Sequence, residues 1–137
     1  MSGSKFGRDM SDWVKRAKQK SERFYRAFCQ DLNNEIITTT PIDTGFARNH
    51  WFTSINTPVA FNLEKGQRAN PEAQTAQTVA NLKVGDKFIS GNNVAYILPL
   101  EYGHSQQAPN GMVRIAIAKA DQIAQATLMR INANGNA

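Results

Sequence analysis

Asp43-Thr44-Gly45 is the triplet whose letters come nearest to a catalytic group. Asp-Thr-Gly serves aspartic proteolysis when two such aspartates share one proton, so a chain with one copy has to dimerise to supply two. The flanks do not fit that chemistry. Apolar strand residues belong ahead of the triplet, and here Thr38-Thr39-Thr40-Pro41 stands there; a Gly-Arg-Asp-type segment belongs after it, and Gly7-Arg8-Asp9 lies far upstream. A turn explains the same letters: Pro41 fixes its φ, Asp43 accepts from the amides of residues 45 and 46, and Gly45 takes positive φ. His50 and His104 have no neighbour at metal-ligand spacing and read as satisfied or surface histidines. Cys29 follows Phe28 on an apolar stripe and reads as a small buried hydrophobe rather than a nucleophile. No catalytic signature, cofactor motif or metal cage emerges, and the expectation is a protein that is not an enzyme.

The charge is unevenly placed. Of 16 basic and 11 acidic residues, the first 26 positions hold eight and three, so the whole net charge of +5 sits there. Lys15, Arg16, Lys18, Lys20 and Arg23 form its densest part. Such a patch is the electrostatic footprint of nucleic acid or an acidic partner surface, or the solvated face of a lysine-rich helix. One cysteine excludes an internal disulfide. No apolar run is long enough to span a bilayer, and the N-terminus lacks a secretory pattern. Together these predict a soluble chain made in a reducing cytoplasm.

The elements that must position these residues follow from periodicity. Residues 1–10 read as a flexible arm. Ser11 is a candidate N-cap, with Asp12 at the positive helix end. Val14, Ala17, Phe24, Phe28, Leu32 and Ile36 then recur at helical steps, which predicts a helix of about 25 residues, about 38 Å long. Pro41 stops it. Alternation over Asn49, Trp51, Thr53 and Ile55 predicts a strand. Asn70-Pro71 opens a short helix to about residue 82, and Asp86 to Ser90 reads as a second strand. Residues 94–98 are apolar and fit strand or buried helix equally. Val113 through Ile131 keep one apolar helical face, and 132–137 is a polar tail. The prediction is a single α+β domain over 11–131: a small, mostly antiparallel sheet covered by a long N-terminal and a C-terminal helix. The short strands leave sheet edges that either need protection or pair with another copy.

Two segments carry a family resemblance. Thr40-Pro41-Ile42-Asp43-Thr44-Gly45-Phe46-Ala47-Arg48-Asn49-His50-Trp51 resembles the hallmark of the minor tail, tail-completion and neck proteins of long-tailed bacteriophages, where Thr-Pro-Val-Asp-Thr-Gly precedes a basic residue and an aromatic. Tyr96-Ile97-Leu98-Pro99-Leu100-Glu101-Tyr102-Gly103 resembles their second segment, followed as in the family by a Gln/Pro-rich loop and a terminal helix. Ala47, His50, Pro99 and Asn110-Gly111 depart from the family pattern. The resemblance covers roughly residues 11–131. It implies a structural virion protein, made in the bacterial host and assembled at the tail neck. Its copies would form a homo-oligomeric ring, a hexamer, that caps the tail tube and joins the head connector, with packaged DNA as a further contact and no membrane partner. The residues it singles out are Pro41, Asp43, Thr44, Gly45, Arg48, Trp51, Tyr96, Glu101, Tyr102 and Gly103. The alternative is a nucleic-acid-binding module that uses the basic first helix.

Overall fold

The computed structural model describes residues 2–42, 46–63, 69–103 and 105–134. The turn residues Asp43, Thr44 and Gly45, and His104, lie outside the described residues. The chain is α+β. Helix α1 (Ser2–Thr39) leads to the one-turn α2 (Phe46–Asn49), strand β1 (Phe52–Ile55), α3 (Pro71–Ala80), strand β2 (Phe88–Gly91), the short α4 (Ile97–Glu101), α5 (Val113–Ala118) and α6 (Ala120–Ala133). β1 and β2 form a two-stranded antiparallel sheet in which Phe52 faces Gly91 and Ile55 faces Phe88. The C-terminal half of α1 is the spine: α3, α5 and α6 all pack on it.

Several boundaries differ from the sequence reading. The expected arm over residues 1–10 is helical from Ser2, so α1 holds 38 residues. Extending an existing helix costs far less than nucleating one, and no proline interrupts these positions. The β-branched run at the other end also stays helical through Thr39, with its hydroxyls turned back onto the preceding turn. Thr38 Oγ1 donates to the Asn34 carbonyl and Thr40 Oγ1 to that of Ile36. Residues 46–49 make a helical turn, so the strand starts at Phe52 rather than Asn49. The open choice between strand and buried helix at 94–98 resolves into neither: 95–96 form a turn, and α4 starts at Ile97 with no buried residue. The single C-terminal helix is broken at Lys119, and α6 runs to Ala133, into the expected tail. α3 opens as its sequence dictates, with Asn70 Oδ1 accepting from the Ala73 amide and Pro71 in the first turn.

Two apolar clusters hold the elements together. One joins Ile36, Ile37, Trp51, Ala108, Met112 and Ala116; the other joins Cys29, Val79 and Leu82, with Tyr25, Ile55 and Phe88 against it. Buried polar side chains tie the layers between them. Asn33 Nδ2 donates to Thr75 Oγ1 of α3 (2.9 Å), and Asn33 Oδ1 accepts from Ser90 Oγ of β2 (2.6 Å). On the outer side of β1, Gln74 takes the place of a further strand. Its Oε1 accepts from the Thr53 amide and its Nε2 donates to the Thr53 carbonyl, both at 2.9 Å. The expectation that this edge is left free for another copy is therefore corrected at Thr53.

Cys29 is buried, and burial pushes its thiol up to about 12. It stays protonated at neutral pH and carries no nucleophilic thiolate. In the native chain it should react with a thiol reagent only at the rate of unfolding; immediate stoichiometric labelling would contradict this burial. Asn33→Ala should lower unfolding free energy by about 1–3 kcal/mol in a urea titration, since the Ser90 hydroxyl loses its acceptor and Thr75 a donor. An unchanged midpoint would show that the Asn33 bridge contributes nothing.

Candidate functional site

The end of α1 is where the two resemblance-bearing segments meet. Pro41 ends the helix and is buried. Helix carbonyls at such an end lack intrahelical partners. Arg48, on the turn after the gap, supplies them: its guanidinium donates to the Thr38 carbonyl (2.7 Å) and to the Thr40 carbonyl (3.1 and 2.8 Å). A cation at a helix C-terminus is also favoured by the helix dipole. Trp51, 5% exposed, donates from Nε1 to Thr40 Oγ1 at 2.7 Å. The indole thus lies on the helix end while its ring joins the cluster of Ile36, Ile37 and Met112.

The second segment packs on the same cluster. Ile97 and Leu100 of α4 pack against it. Glu101 then caps α5. Its carboxylate accepts from the amides of Met112 (3.0 Å), Val113 (2.7 Å) and Arg114 (3.0 Å), and from Arg114 Nε at 3.1 Å. Those amides are the unpaired donors at a helix N-terminus. Burial on its own raises the Glu101 pKa, but the Val113, Arg114 and Met112 amides and the Arg114 guanidinium outweigh it, so the carboxyl ends below its ordinary value. Arg114 also donates to the Glu101 carbonyl and lies 5.4 Å from the centre of the Tyr102 ring. Gly103 (φ 87°) and Gly111 (φ 84°) occupy the left-handed region. A Cβ at Gly103 would collide with the Pro109 carbonyl, and one at Gly111 with the Glu101 carbonyl.

Side chains from other segments lock the corner. Gln107 Oε1 accepts from the Ile42 amide (2.9 Å), and Asn92 Nδ2 donates to the Ala47 carbonyl (2.8 Å). Composition and spacing single out neither residue, because an amide's role depends on what sits opposite it. Gly111 did leave a signal in Asn110-Gly111, a turn dipeptide.

Of the residues singled out in the sequence, Pro41, Arg48, Trp51, Glu101 and Gly103 are brought into this corner. Tyr96 and Tyr102 lie on its exposed outside. Lys15, Arg16, Lys18, Lys20 and Arg23 do not belong to it. They sit on α1, all exposed, 17 to 25 residues before Thr40, which is about 26–38 Å along the helix axis. His50 is buried beside the corner, where its Nε2 accepts from the Leu63 amide at 3.1 Å and its ring neighbours Phe61. Among the described residues, no group of three or more His, Cys, Asp or Glu is placed to hold a metal ion, and no helix is long and apolar enough to cross a membrane. What fold and site define is an α+β chain with a structural corner made of capping and packing contacts. Comparison with known protein families, curated proteins and solved structures gives no match for this chain.

Glu101→Gln should cost about 1.5–3 kcal/mol at neutral pH, the range for hydrogen bonds to a charged group. Because the folded pKa is lowered, the native carboxylate contributes stability that is complete above the unfolded value of about 4.3 and fades as pH falls through the folded value. The difference between parent and variant in chemical denaturation should therefore shrink in acid. A gap that stays constant to pH ~2, below the ordinary carboxylate range, would show that the charge is not what holds α5. Gly111→Ala should be more damaging than Gly91→Ala, which meets open space and has no positive φ. Equal thermal midpoints for the two variants would contradict the tight approach at Glu101.

Proposed function

We propose that this chain is a structural subunit of a bacteriophage tail neck, a tail-completion adaptor whose copies close into a ring between tail tube and head connector. One observation carries the reading. The described parts of the two segments that resemble this family, far apart in sequence, pack on one apolar cluster, and they leave Ile42, Tyr96, Leu98 and Tyr102 exposed. Exposed aromatic and aliphatic side chains are the composition of an interface core. A heterologous contact made by such a patch closes into a ring when its rotation closes. The Gln74 contact removes Thr53 of β1 from any strand addition between copies.

The reading assigns no turnover and no cofactor. It assigns the protein to the virion, with itself, the tail tube and the connector as partners. The exposed basic residues of α1 support a second reading, a nucleic-acid-binding module. Duplex binding by that route weakens steeply as salt rises, and no binding at low salt removes it.

Sedimentation and negative-stain imaging of the full chain test the first reading. Ring-sized oligomers are expected. Leu98→Asp should abolish them while leaving the circular dichroism spectrum and thermal midpoint unchanged, because Leu98 is 63% exposed. A chain that stays monomeric at every concentration, or rings indifferent to Leu98→Asp, would overturn the assignment of this corner.

A further inference from the structure

Among the described residues, nothing covers α1 from Gly7 to Ser21. Residues 7–21 are exposed without exception, a stretch of about 22 Å that leaves the body of the molecule. Met10, Trp13 and Val14 are 46%, 60% and 54% exposed, and with Ala17 they form one row at helical spacing. The same row continues as Phe24 and Phe28, half-buried and stacked at 5.8 Å, and then as Asp31 and Glu35. There α6 covers it: Thr127 Oγ1 and Arg130 meet Asp31, and Lys119 meets Glu35. Because Lys119 lies opposite Glu35 and Arg130 opposite Asp31, α6 runs antiparallel to α1. The exposed row is thus the uncovered continuation of an interface already built in this chain, and what fits it is a second helix laid antiparallel to α1 beyond the end of α6.

We propose that the occupant is the same segment of a second copy, paired antiparallel about a two-fold axis between Trp13 and Val14. The charge pattern selects this arrangement. Asp9, Arg16 and Lys20 lie along one flank of the apolar row, and Ser11 and Lys18 along the other. In an antiparallel pair like flanks meet, so Asp9 of each copy faces the stretch between Arg16 and Lys20 of the other, while Lys18 meets Ser11. In a parallel pair the two flanks meet crosswise and Lys18 lies against Arg16 and Lys20, a like-charge contact. Arg8 and Lys15 point away from the seam in either case.

The paired arms stay net positive, which sets the direction of the salt effect. Screening relieves repulsion between them, so self-association strengthens with salt. Contact with nucleic acid or an anionic lipid surface weakens with salt. The inference does not depend on the ring assignment, whose contacts lie at the other end of α1.

The test uses the full chain. Met10→Cys and Ala17→Cys variants are mixed and oxidised, Cys29 being buried and protonated. The expected product is the mixed disulfide dimer, with one chain linked through position 10 and the other through position 17, and each variant alone giving little cross-link. Sedimentation should show association that tightens as salt is raised from roughly 50 mM to roughly 500 mM, a range over which the screening length shortens several-fold. Asp9→Lys should weaken it about tenfold, two symmetry-related attractions becoming repulsions, and Trp13→Ser should abolish the cross-link with the thermal midpoint of the body unchanged. Efficient cross-linking of Met10→Cys alone means a parallel pair and overturns the proposal. So does the absence of any cross-link, or association that weakens with salt. A blue shift of Trp13 emission in a Trp51→Phe background, on adding duplex DNA or phosphatidylserine vesicles but not on raising protein concentration, assigns the row to that partner instead and equally overturns it. Rings indifferent to Leu98→Asp, with the mixed cross-link retained, would sink the ring corner alone.

Discussion

Closing the C-terminal end of a 38-residue helix is the constraint on which the rest of this structure depends. Pro41 forbids continuation, and the last turn is left with carbonyls that must find donors or water. Three are accounted for close by. The Ile36 carbonyl takes the Thr40 hydroxyl, that of Ile37 takes the Thr40 amide, and that of Thr38 takes Arg48. Arg48 reaches the Thr38 and Thr40 carbonyls from α2. The same approach lays Trp51 on Thr40, directly before β1. A capping requirement at one helix end thereby becomes the position of the core's largest side chain.

The second half of the corner solves the opposite problem by the same physics. α5 begins with unpaired amides, and no Ser, Thr, Asp or Asn stands directly before Val113 to cap it locally. Glu101, twelve positions upstream of Val113, supplies the acceptor. It can do so because Gly103 and Gly111 let the intervening loop double back onto α4, at conformations other residues resist. Arg114 then holds the carboxylate in place. One helix end is closed by a cation and the other by an anion, both carried on segments distant from the helix they serve. The apolar cluster between them is what makes the two closures one unit.

How much of this was legible in the sequence follows from how local each signal is. Asn70-Pro71 announced the start of α3 because an N-cap and a first-turn proline act within three residues. The apolar rows of α1 and of the C-terminal segment announced helices, since a period needs only its own element. Periodicity did not reveal the break at Lys119, because the row of apolar residues runs through it with little change. Ser11 looked like a helix start, yet α1 had begun nine residues earlier; a good cap residue is not a cap when the backbone before it is already helical. The amides of Asn33, Gln74, Asn92 and Gln107 were silent. Each acts across 21 to 65 residues of chain, and nothing in composition names its partner. The site residues were found through two short segments, and their capping roles became visible only once opposite ends of two helices were seen to share a core.

The distribution of charge divides the chain into a closed part and an open one. In the body, Asp31, Glu35 and Glu101 are taken up by Arg130, Lys119 and Arg114. These pairs are half-exposed on the basic side, so each adds little energy alone. Their consequence is neutrality, which leaves packing and caps to hold the body. The exposed half of α1 has no comparable supply of acids. A helix of that length without tertiary cover is marginal by itself; here it persists as an extension of a half that is embedded. Its field is therefore directed outward, and its apolar row remains to be covered. Whatever meets this segment encounters a hydrophobic seam flanked by positive charge, so the sign of the salt dependence, rather than the affinity, identifies the partner.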